Sequence, residues 1–321
     1  MSLLRAFAAN AKSKPPLPLG SANQREPARC KFEVMPNQPT IPTAPAPGVA
    51  LSLAGRTALI TGGSRGIGAA TVRLFRQAGA RVAFSYRQAA DQANALSAAC
   101  GGPGLCLPIQ QSLETPEDGE ALVAHTLAAF GDLDILIANH GIWPPVPTSV
   151  ADMTSAQWHR TIATNIDSVF GLVHVAAAHM LTRPAPAPVR TALGSPYPTA
   201  PTARGHIVLI ASAAGQRGEG FHADYATTKG AIIALTKSLS SELAPHAIYA
   251  NCVAPGWTHT EMTASVFDDP AVAARTNPTI PLQRPAHVDE IAGPILFLCT
   301  PLAGFISGEI FNVNGGAVLT G

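Results

Sequence analysis

Short apolar runs alternate with longer stretches of helical periodicity from about residue 52 to the end of the chain. The runs have the length of buried strands, and the stretches between them carry apolar residues at helical spacing. Strands separated by helices predict a parallel sheet covered on both faces, with a ligand site at the carboxyl ends of the strands. The predicted strands are 56–61, 81–85, 105–109, 134–138, 206–211, 249–254 and 309–313, and the predicted helices lie near 69–75, 89–99, 116–129, 155–181, 224–244 and 287–299.

Proline marks two segments outside this alternation. Residues 1–50 contain nine of the 29 prolines, and residues 183–204 contain six. Proline has no backbone donor, so a segment rich in it cannot form a packed element. We therefore predict a disordered leader at 1–50, a folded domain at 51–321 and a loop insertion in that domain at 183–204.

Composition narrows the functional class. The chain has 321 residues, 47% of them hydrophobic, and a net charge of +1, which gives no electrostatic case for binding nucleic acid or an anionic membrane. No apolar run approaches the ~18 residues of a spanning helix. The five cysteines form no Cys-x-x-Cys, which indicates reduced thiols in a cytoplasmic setting and no metal site. The basic first 14 residues are either an unstructured leader or an organellar targeting segment.

A glycine-rich segment joins the first predicted strand to the first predicted helix. Glycines at such a turn let the chain reverse sharply and let its amide groups approach a pyrophosphate at the helix N-terminus. The position of this segment between a strand and a helix is what indicates a nucleotide site. We therefore predict a nucleotide site at the run Gly62-Gly63-Ser64-Arg65-Gly66-Ile67-Gly68.

Tyr225 and Lys229 lie four residues apart in the helix predicted at 224–244, so their side chains share one face. A free tyrosine has a pKa near ~10, and lowering it by about three units takes roughly 4 kcal/mol of selective stabilisation of the phenolate. One cation about 4 Å away supplies about that much at an effective dielectric of ~20. The spacing predicts a tyrosine whose pKa is lowered by its lysine; the alternative is an ordinary half-exposed helix face.

These pieces, taken in order, resemble the short-chain dehydrogenase/reductase family over nearly all of residues 52–321. The resemblance implies a single α/β domain, a Rossmann-type doubly wound parallel sheet with helices on both faces that binds NAD(P). The other matching residues are 139–141 (Asn-His-Gly), Asn165, Ser212, 255–260 (Pro-Gly-Trp-Thr-His-Thr) and 312–316 (Asn-Val-Asn-Gly-Gly).

The resemblance also implies roles for four side chains. Tyr225 would donate the proton to a carbonyl oxygen, and Lys229 would hold the cofactor ribose and lower the pKa of the tyrosine. Ser212 would polarise the same carbonyl, and Asn165 would support a water that relays protons through the lysine. From the residues alone, Ser212 is also interpretable as a turn cap and Asn165 as a satisfied polar group in a helix. The order of all four favours the catalytic roles.

Further cofactor contacts follow from the same likeness. Asn139, His140 and Gly141 would border the nicotinamide, where we interpret His140 as a loop histidine that fills space. Ser112 and Leu113 stand where the adenine is usually contacted. The segment after the sixth predicted strand would hold the carboxamide through Pro255, Gly256, Thr258 and Thr260.

The absence of an acidic residue after the second predicted strand indicates whether the cofactor is NAD or NADP. After its second strand an NAD-binding protein needs a carboxylate for the ribose hydroxyls, and Tyr86 stands at that place. Arg87 follows it and Arg65 lies in the glycine turn, so two guanidiniums are available to a 2′-phosphate. We predict NADPH, with NAD as an alternative because a missing acid weakens its binding without preventing it.

Within the family, the glycine run, the short lid predicted at 261–281 and the Asn-Gly-Gly ending resemble β-ketoacyl-acyl-carrier-protein reductases. This implies a 3-oxoacyl group on acyl carrier protein as substrate, in fatty acid biosynthesis. Residues 243–246 contain no lysine or arginine for docking that carrier, so a free small alcohol, sugar or ketone is the alternative. A non-catalytic NADP-binding sensor is less favoured because Tyr225 and Lys229 are both kept. Relatives assemble through the helices that carry Asn165 and Tyr225, so we expect a homotetramer.

Overall fold

A parallel sheet of seven strands forms the centre of the domain in the computed structural model, which describes residues 51–184 and 203–319. The predicted leader and the interior of the predicted insertion lie outside the described residues. Each strand falls within two residues of its predicted bounds. The strands are β1 (Thr57–Ile60), β2 (Arg81–Tyr86), β3 (Cys106–Gln110), β4 (Ile135–Ala138), β5 (Gly205–Ile210), β6 (Ile248–Pro255) and β7 (Ile310–Val313).

Helices connect the strands and cover both faces of the sheet. The long helices match the predicted ones, whereas the short helices after β5 and β6 have too few turns to give a periodic signal. The helices are α1 (Gly66–Gln77), α2 (Ala90–Ala99), α3 (Pro116–Phe130), α4 (Ser155–Ile162), α5 (Ser168–Thr182), α6 (Ala213–Arg217), α7 (Ala223–Leu243), α8 (Ala264–Phe267), α9 (Pro270–Thr276) and α10 (Val288–Leu298).

Successive residues of each strand point to opposite faces of the sheet, so each central strand feeds two hydrophobic cores. In β1, Ala58 and Ile60 pack with α1 and α10 on one face, whereas Leu59 packs with α3, α5 and α7 on the other. All three side chains are fully buried. Burial on both faces is the reason that the strands appear in the sequence as continuous apolar runs.

The strand order β3-β2-β1-β4-β5-β6-β7 places a change of direction between β1 and β4. The chain moves outward from β1 to β3 and then resumes on the other side of β1 with β4. The loops that leave the carboxyl ends of β1 and β4 therefore diverge and open a crevice where ligands bind. This order confirms the predicted doubly wound sheet with helices on both faces.

One predicted helix is interrupted. The apolar spacing predicts a continuous helix at 155–181, but a π-helical turn, Ala163–Asp167, separates α4 from α5. Such a turn accommodates one extra residue without breaking the apolar stripe, so periodicity does not reveal it. The turn contains Asn165, which is buried.

By length and composition, the segment Ser155–Thr182 is apolar enough to cross a membrane, and no other helix within 51–184 and 203–319 meets that test. In the fold, α5 packs along α3 and against the interior strands β4 and β6. Leu172 and Met180 of α5 are fully buried there. Packing inside the domain accounts for the apolar character of this segment.

The two ends of the insertion lie at the amino ends of the strands. The Arg183 guanidinium forms ion pairs with Asp134 at 2.6 Å and with Asp132 at 3.1 Å, and it also donates to the Arg204 carbonyl oxygen. Asp134 directly precedes β4, and Arg204 directly precedes β5. The insertion therefore leaves and re-enters the domain at the edge of the sheet opposite the ligand crevice.

Helices α3 and α5 approach closely because glycines face each other at their crossing. A Cβ at Gly171 would overlap the Pro116 carbonyl oxygen, and one at Gly119 would overlap the Ser168 carbonyl oxygen. We expect Gly171→Ala to lower the free energy of unfolding by about 3 kcal/mol, since backbone atoms cannot move aside cheaply. Urea denaturation measures this loss.

Gly104→Ala is the matched control, because a Cβ there meets no atom within 4 Å. We expect its free energy of unfolding to stay within about 0.5 kcal/mol of the wild-type value. Equal stability of Gly171→Ala and Gly104→Ala would contradict the close contact between α3 and α5.

Candidate active site

A cavity of about 760 Å³ opens at the carboxyl edge of the sheet, where the loops after β1 and β4 diverge. It extends from the glycine turn to the lid between β6 and α10. All predicted site residues except Asn165 line it. These lining residues are Gly62, Ser64, Arg65, Gly66, Ile67, Gly68, Tyr86, Arg87, Ser112, Leu113, Asn139, His140, Gly141, Ser212, Tyr225, Lys229, Pro255, Gly256, Thr258 and Thr260.

The glycine turn at the start of α1 leaves backbone amide groups at the helix N-terminus open to a ligand. A Cβ at Gly68 would overlap the Gly62 carbonyl oxygen, so glycine is needed for this close approach. The Gly62 amide donates to Ser85 Oγ at 3.1 Å, which fixes the turn to β2. No side chain of the described residues caps α1, and its first turn carries no acid. Its amide groups therefore remain available to a phosphate.

Two arginines stand at the end of the cavity nearest β2. Arg65 is the residue before α1 and Arg87 follows β2, and both line the cavity and are exposed. Within the described residues, no carboxylate forms an ion pair with either guanidinium. Both side chains can therefore reach a ligand in the cavity; that they bind a phosphate group stays a prediction.

Tyr225 and Lys229 lie one turn apart near the start of α7, and both face the cavity. Lys229 Nζ donates to the Ile210 carbonyl oxygen at 2.8 Å and lies 5.7 Å from the centre of the Tyr225 ring. Ser212 accepts from the Ala214 amide at 3.1 Å and so caps α6. Its hydroxyl also lies near enough to the Tyr225 phenol to affect the pKa of that phenol. The capping and catalytic interpretations of Ser212 are therefore compatible.

The electrostatics of the pair correct one expectation. Burial raises the pKa of Tyr225 to about 12, a rise that the Ser212 hydrogen bond opposes and the Glu219 carboxylate increases. Lys229 is not among the groups that shift the pKa of Tyr225, so the predicted lowering is absent. Burial lowers the pKa of Lys229 to about 8. At neutral pH the phenol is therefore protonated, which is the form a proton donor requires.

Asn165 lies behind the cavity wall in the π-turn and ties three elements together. Its Oδ1 accepts from the Ile142 amide at 2.8 Å, and its Nδ2 donates to the Ile142 carbonyl oxygen at 3.0 Å. The same Nδ2 donates to Thr228 Oγ1 of α7 at 3.0 Å. Asn165 thus fixes the loop after β4 against the helix that carries the tyrosine and lysine. Its part in a proton relay stays a prediction.

His140 does more than fill space. Its Nε2 donates to the Thr164 carbonyl oxygen at 3.1 Å and lies 2.8 Å from Ser168 Oγ, while its Nδ1 accepts from the Thr61 hydroxyl at 2.8 Å. Burial, together with the charge of Lys229, lowers the pKa of His140 to about 3. The neutral ring therefore links the end of β1 to the π-turn that holds Asn165.

Comparison with known proteins identifies the domain. A sequence model described as "Enoyl-(Acyl carrier protein) reductase" matches residues 62–318. A short-chain dehydrogenase/reductase structure from Brucella melitensis, titled glucose/ribitol dehydrogenase, is 33% identical with a TM-score of 0.71, over 83% of this chain and 98% of that one. The chain belongs to the short-chain dehydrogenase/reductase family. It is therefore an oxidoreductase that acts on carbonyl or hydroxyl groups.

Two other members illustrate the range of this family. A 3-oxoacyl-[acyl-carrier-protein] reductase of Synechocystis sp. is 32% identical over 270 residues, which are 84% of this chain and 99% of that protein. A short-chain dehydrogenase from Burkholderia cenocepacia, solved in complex with NADP, is 30% identical with a TM-score of 0.71 and covers 83% of this chain and 98% of its own.

Several residues in or next to the cavity of this short-chain dehydrogenase/reductase were not predicted from the sequence. Thr61 Oγ1 accepts from the amides of Asn139 and His140 at 2.9 and 3.1 Å, and so joins β1 to the loop after β4. Glu114 accepts from Ser112 Oγ at 3.2 Å beside the arginines. Arg217 and Glu219 line the end of the cavity near Ser212. The one feature of the sequence that could have indicated Arg217 and Glu219 as cavity residues is their position between Ser212 and Tyr225.

Proposed function

We propose that this protein reduces a ketone to a secondary alcohol with NADPH and uses Tyr225 as the proton donor. The observation that carries the proposal is that Ser212, Tyr225 and the buried Lys229 share the wall of one cavity, which also includes the glycine turn at the start of α1. The family and its named reductases support the same chemistry.

The residues present fit a dinucleotide with a 2′-phosphate. The uncapped amides of α1 would hold the pyrophosphate, and Arg65 and Arg87 would bind the 2′-phosphate. The segment Pro255, Gly256, Thr258 and Thr260 would border the nicotinamide end. When bound, the reduced nicotinamide supplies the hydride.

The chain's own groups handle the proton. The Tyr225 hydroxyl holds a proton at Oη for transfer to the carbonyl oxygen, and Ser212 donates a hydrogen bond that polarises that oxygen. Lys229 carries a positive charge below its pKa of about 8 and lines the same cavity, where it would hold the cofactor ribose. Asn165 and His140 hold the surrounding loop in register through their hydrogen bonds.

Two substrate classes enter the proposal. The name of the Synechocystis relative favours a 3-oxoacyl thioester, whereas the carboxylate in the wall near Ser212 favours a free ketone that carries a hydrogen-bond donor. A cytoplasmic homotetramer remains our expectation for the assembly, which light scattering of the purified chain measures.

A ketone panel tests the proposal. Purified full-length protein is mixed with NADPH or NADH and with butanone, cyclohexanone, hydroxyacetone or acetoacetyl-CoA, and loss of the reduced-cofactor absorbance is followed. We expect ketone-dependent oxidation that is faster with NADPH. Tight binding of NADPH without oxidation by any ketone would instead favour the cofactor-binding sensor.

A further inference from the structure

A half-buried carboxyl group stands beside the Ser212 and Tyr225 end of the cavity and takes no part in the proton transfer described above. Glu219 lies in the loop between α6 and α7, and its side chain is 19% exposed. It lines the cavity together with Ser212 and Tyr225. It is close enough for its charge to act on the Tyr225 phenol. Whatever carbonyl compound reaches the tyrosine is therefore near this carboxyl group.

The loop that carries Glu219 is anchored by the two residues that end it. The Phe221 carbonyl oxygen accepts from the Thr148 amide at 2.8 Å, and His222 Nε2 donates to the Pro144 carbonyl oxygen at 3.1 Å. Phe221 has a φ of 64°, a left-handed conformation that is costly for an aromatic residue. The backbone is therefore strained at Phe221, two residues after Glu219.

One of the two carboxyl oxygens of Glu219 is held by the protein and the other is open. Oε1 accepts from Trp143 Nε1 at 3.2 Å and lies 3.6 Å from His222 Nδ1. Among the described residues, no donor hydrogen-bonds Oε2, although the residue lines the cavity. The tryptophan fixes the direction of the group, so the open oxygen is a preorganised acceptor.

Aromatic rings surround this acceptor. The Trp143 ring stacks on His222 with 4.6 Å between the ring centres, and Trp257 meets Trp143 edge-on at 6.2 Å. Both tryptophans line the cavity. Indole faces pack against C–H groups, and the open carboxyl oxygen can accept a hydrogen bond from a ligand. This combination suits a compact ligand that has both hydroxyl groups and a hydrocarbon face.

We propose that Glu219 selects substrates that carry a hydroxyl group next to or near the reacting carbonyl, so that this reductase acts on hydroxylated ketones in preference to plain alkyl ones. The inference rests on the proposed ketone reduction. An alkyl group against Oε2 would strip water from a carboxylate without replacing its hydrogen bond, which is unfavourable. Burial already raises the pKa of Glu219, which shows that the carboxylate lacks full hydration there.

Hydroxyacetone and butanone form a matched pair, because a hydroxyl group in one replaces a methyl group in the other. We measure kcat/KM for both with NADPH in the wild type, Glu219→Leu and Glu219→Gln. The ratio of the two values within one preparation is independent of the fraction of folded enzyme. We expect Glu219→Leu to lower the hydroxyacetone-to-butanone ratio about 30-fold. Glu219→Gln, which keeps an acceptor for Trp143, should give an intermediate ratio.

Glu242→Leu is the control, because Glu242 is exposed on α7 and does not line the cavity. It should keep the wild-type ratio. If Glu219→Leu also keeps the wild-type ratio while both ketones are reduced, the role of Glu219 is refuted and the proposed ketone reduction stands.

A binding measurement separates this inference from the proposed function. Tryptophan emission is titrated with propane-1,2-diol and with butan-2-ol, without cofactor or turnover. We expect the wild type to bind the diol at least tenfold more tightly, and Glu219→Leu to show no preference. That result in a protein that reduces neither ketone would retain Glu219 as a hydroxyl-binding residue and end the catalytic proposal. Equal binding of both alcohols by the wild type would overturn the inference.

Discussion

Replacing Tyr225 with phenylalanine is expected to lower kcat for ketone reduction about 10³-fold, because the variant has no proton to give to the developing alkoxide. The ring remains, so its packing in the cavity wall and its contact with Lys229 are kept. We expect the dissociation constant of NADPH to stay within about twofold of the wild-type value. Single-turnover kinetics measures the first quantity and NADPH fluorescence the second.

Tyr249→Phe is the matched control, since Tyr249 lies on β6 outside the cavity. It should leave both kcat and NADPH affinity unchanged. A Tyr225→Phe enzyme that retains wild-type turnover would remove tyrosine as the acid and leave the reaction without an identified proton donor.

The double variant Arg65→Ala with Arg87→Ala is expected to reduce the preference for NADPH over NADH about 100-fold. Each guanidinium makes charge-assisted hydrogen bonds to a 2′-phosphate, and both are lost together. The effect should fall mainly on KM for NADPH, while KM for NADH changes little. Steady-state kinetics with both cofactors at fixed ketone concentration measures the ratio.

Arg73→Ala provides the comparison, because Arg73 is an exposed arginine of α1 that does not line the cavity. It removes one positive charge from the same helix without touching the site. If the double variant keeps the wild-type cofactor ratio, the arginines do not bind the 2′-phosphate and another group sets the preference.

Much of the site was predictable because its parts are local in sequence. The glycine run is recognisable because it lies between a strand and a helix. Tyr225 and Lys229 are recognisable because their spacing places them on one helical face. Both signals depend on residues within seven positions of each other. The alternation of elements, which gave the sheet and its crevice, is likewise a repeated local pattern.

The predictions that needed correction depend on contacts between distant segments. The pKa of Tyr225 rises because burial and the charge of Glu219 outweigh the opposing effect of Ser212. His140 was interpreted as filling space, yet its hydrogen bonds reach Thr61, which is 79 residues away. Residues so far apart in the chain do not belong to one helical or strand period, so the sequence pattern does not reveal that they are in contact.

The sequence by itself determined the element order, the glycine turn at the start of α1 and the types of residue that line the cavity, because hydrogen bonding within a helix and alternation along a strand act over a few residues. Only the tertiary structure decided the charge state of the tyrosine, the anchoring of Asn165 behind the wall and the placement of Glu219 at the substrate end. Desolvation and hydrogen-bond partners are properties of a packed interior. They exist only once strands and helices far apart in the chain have come together.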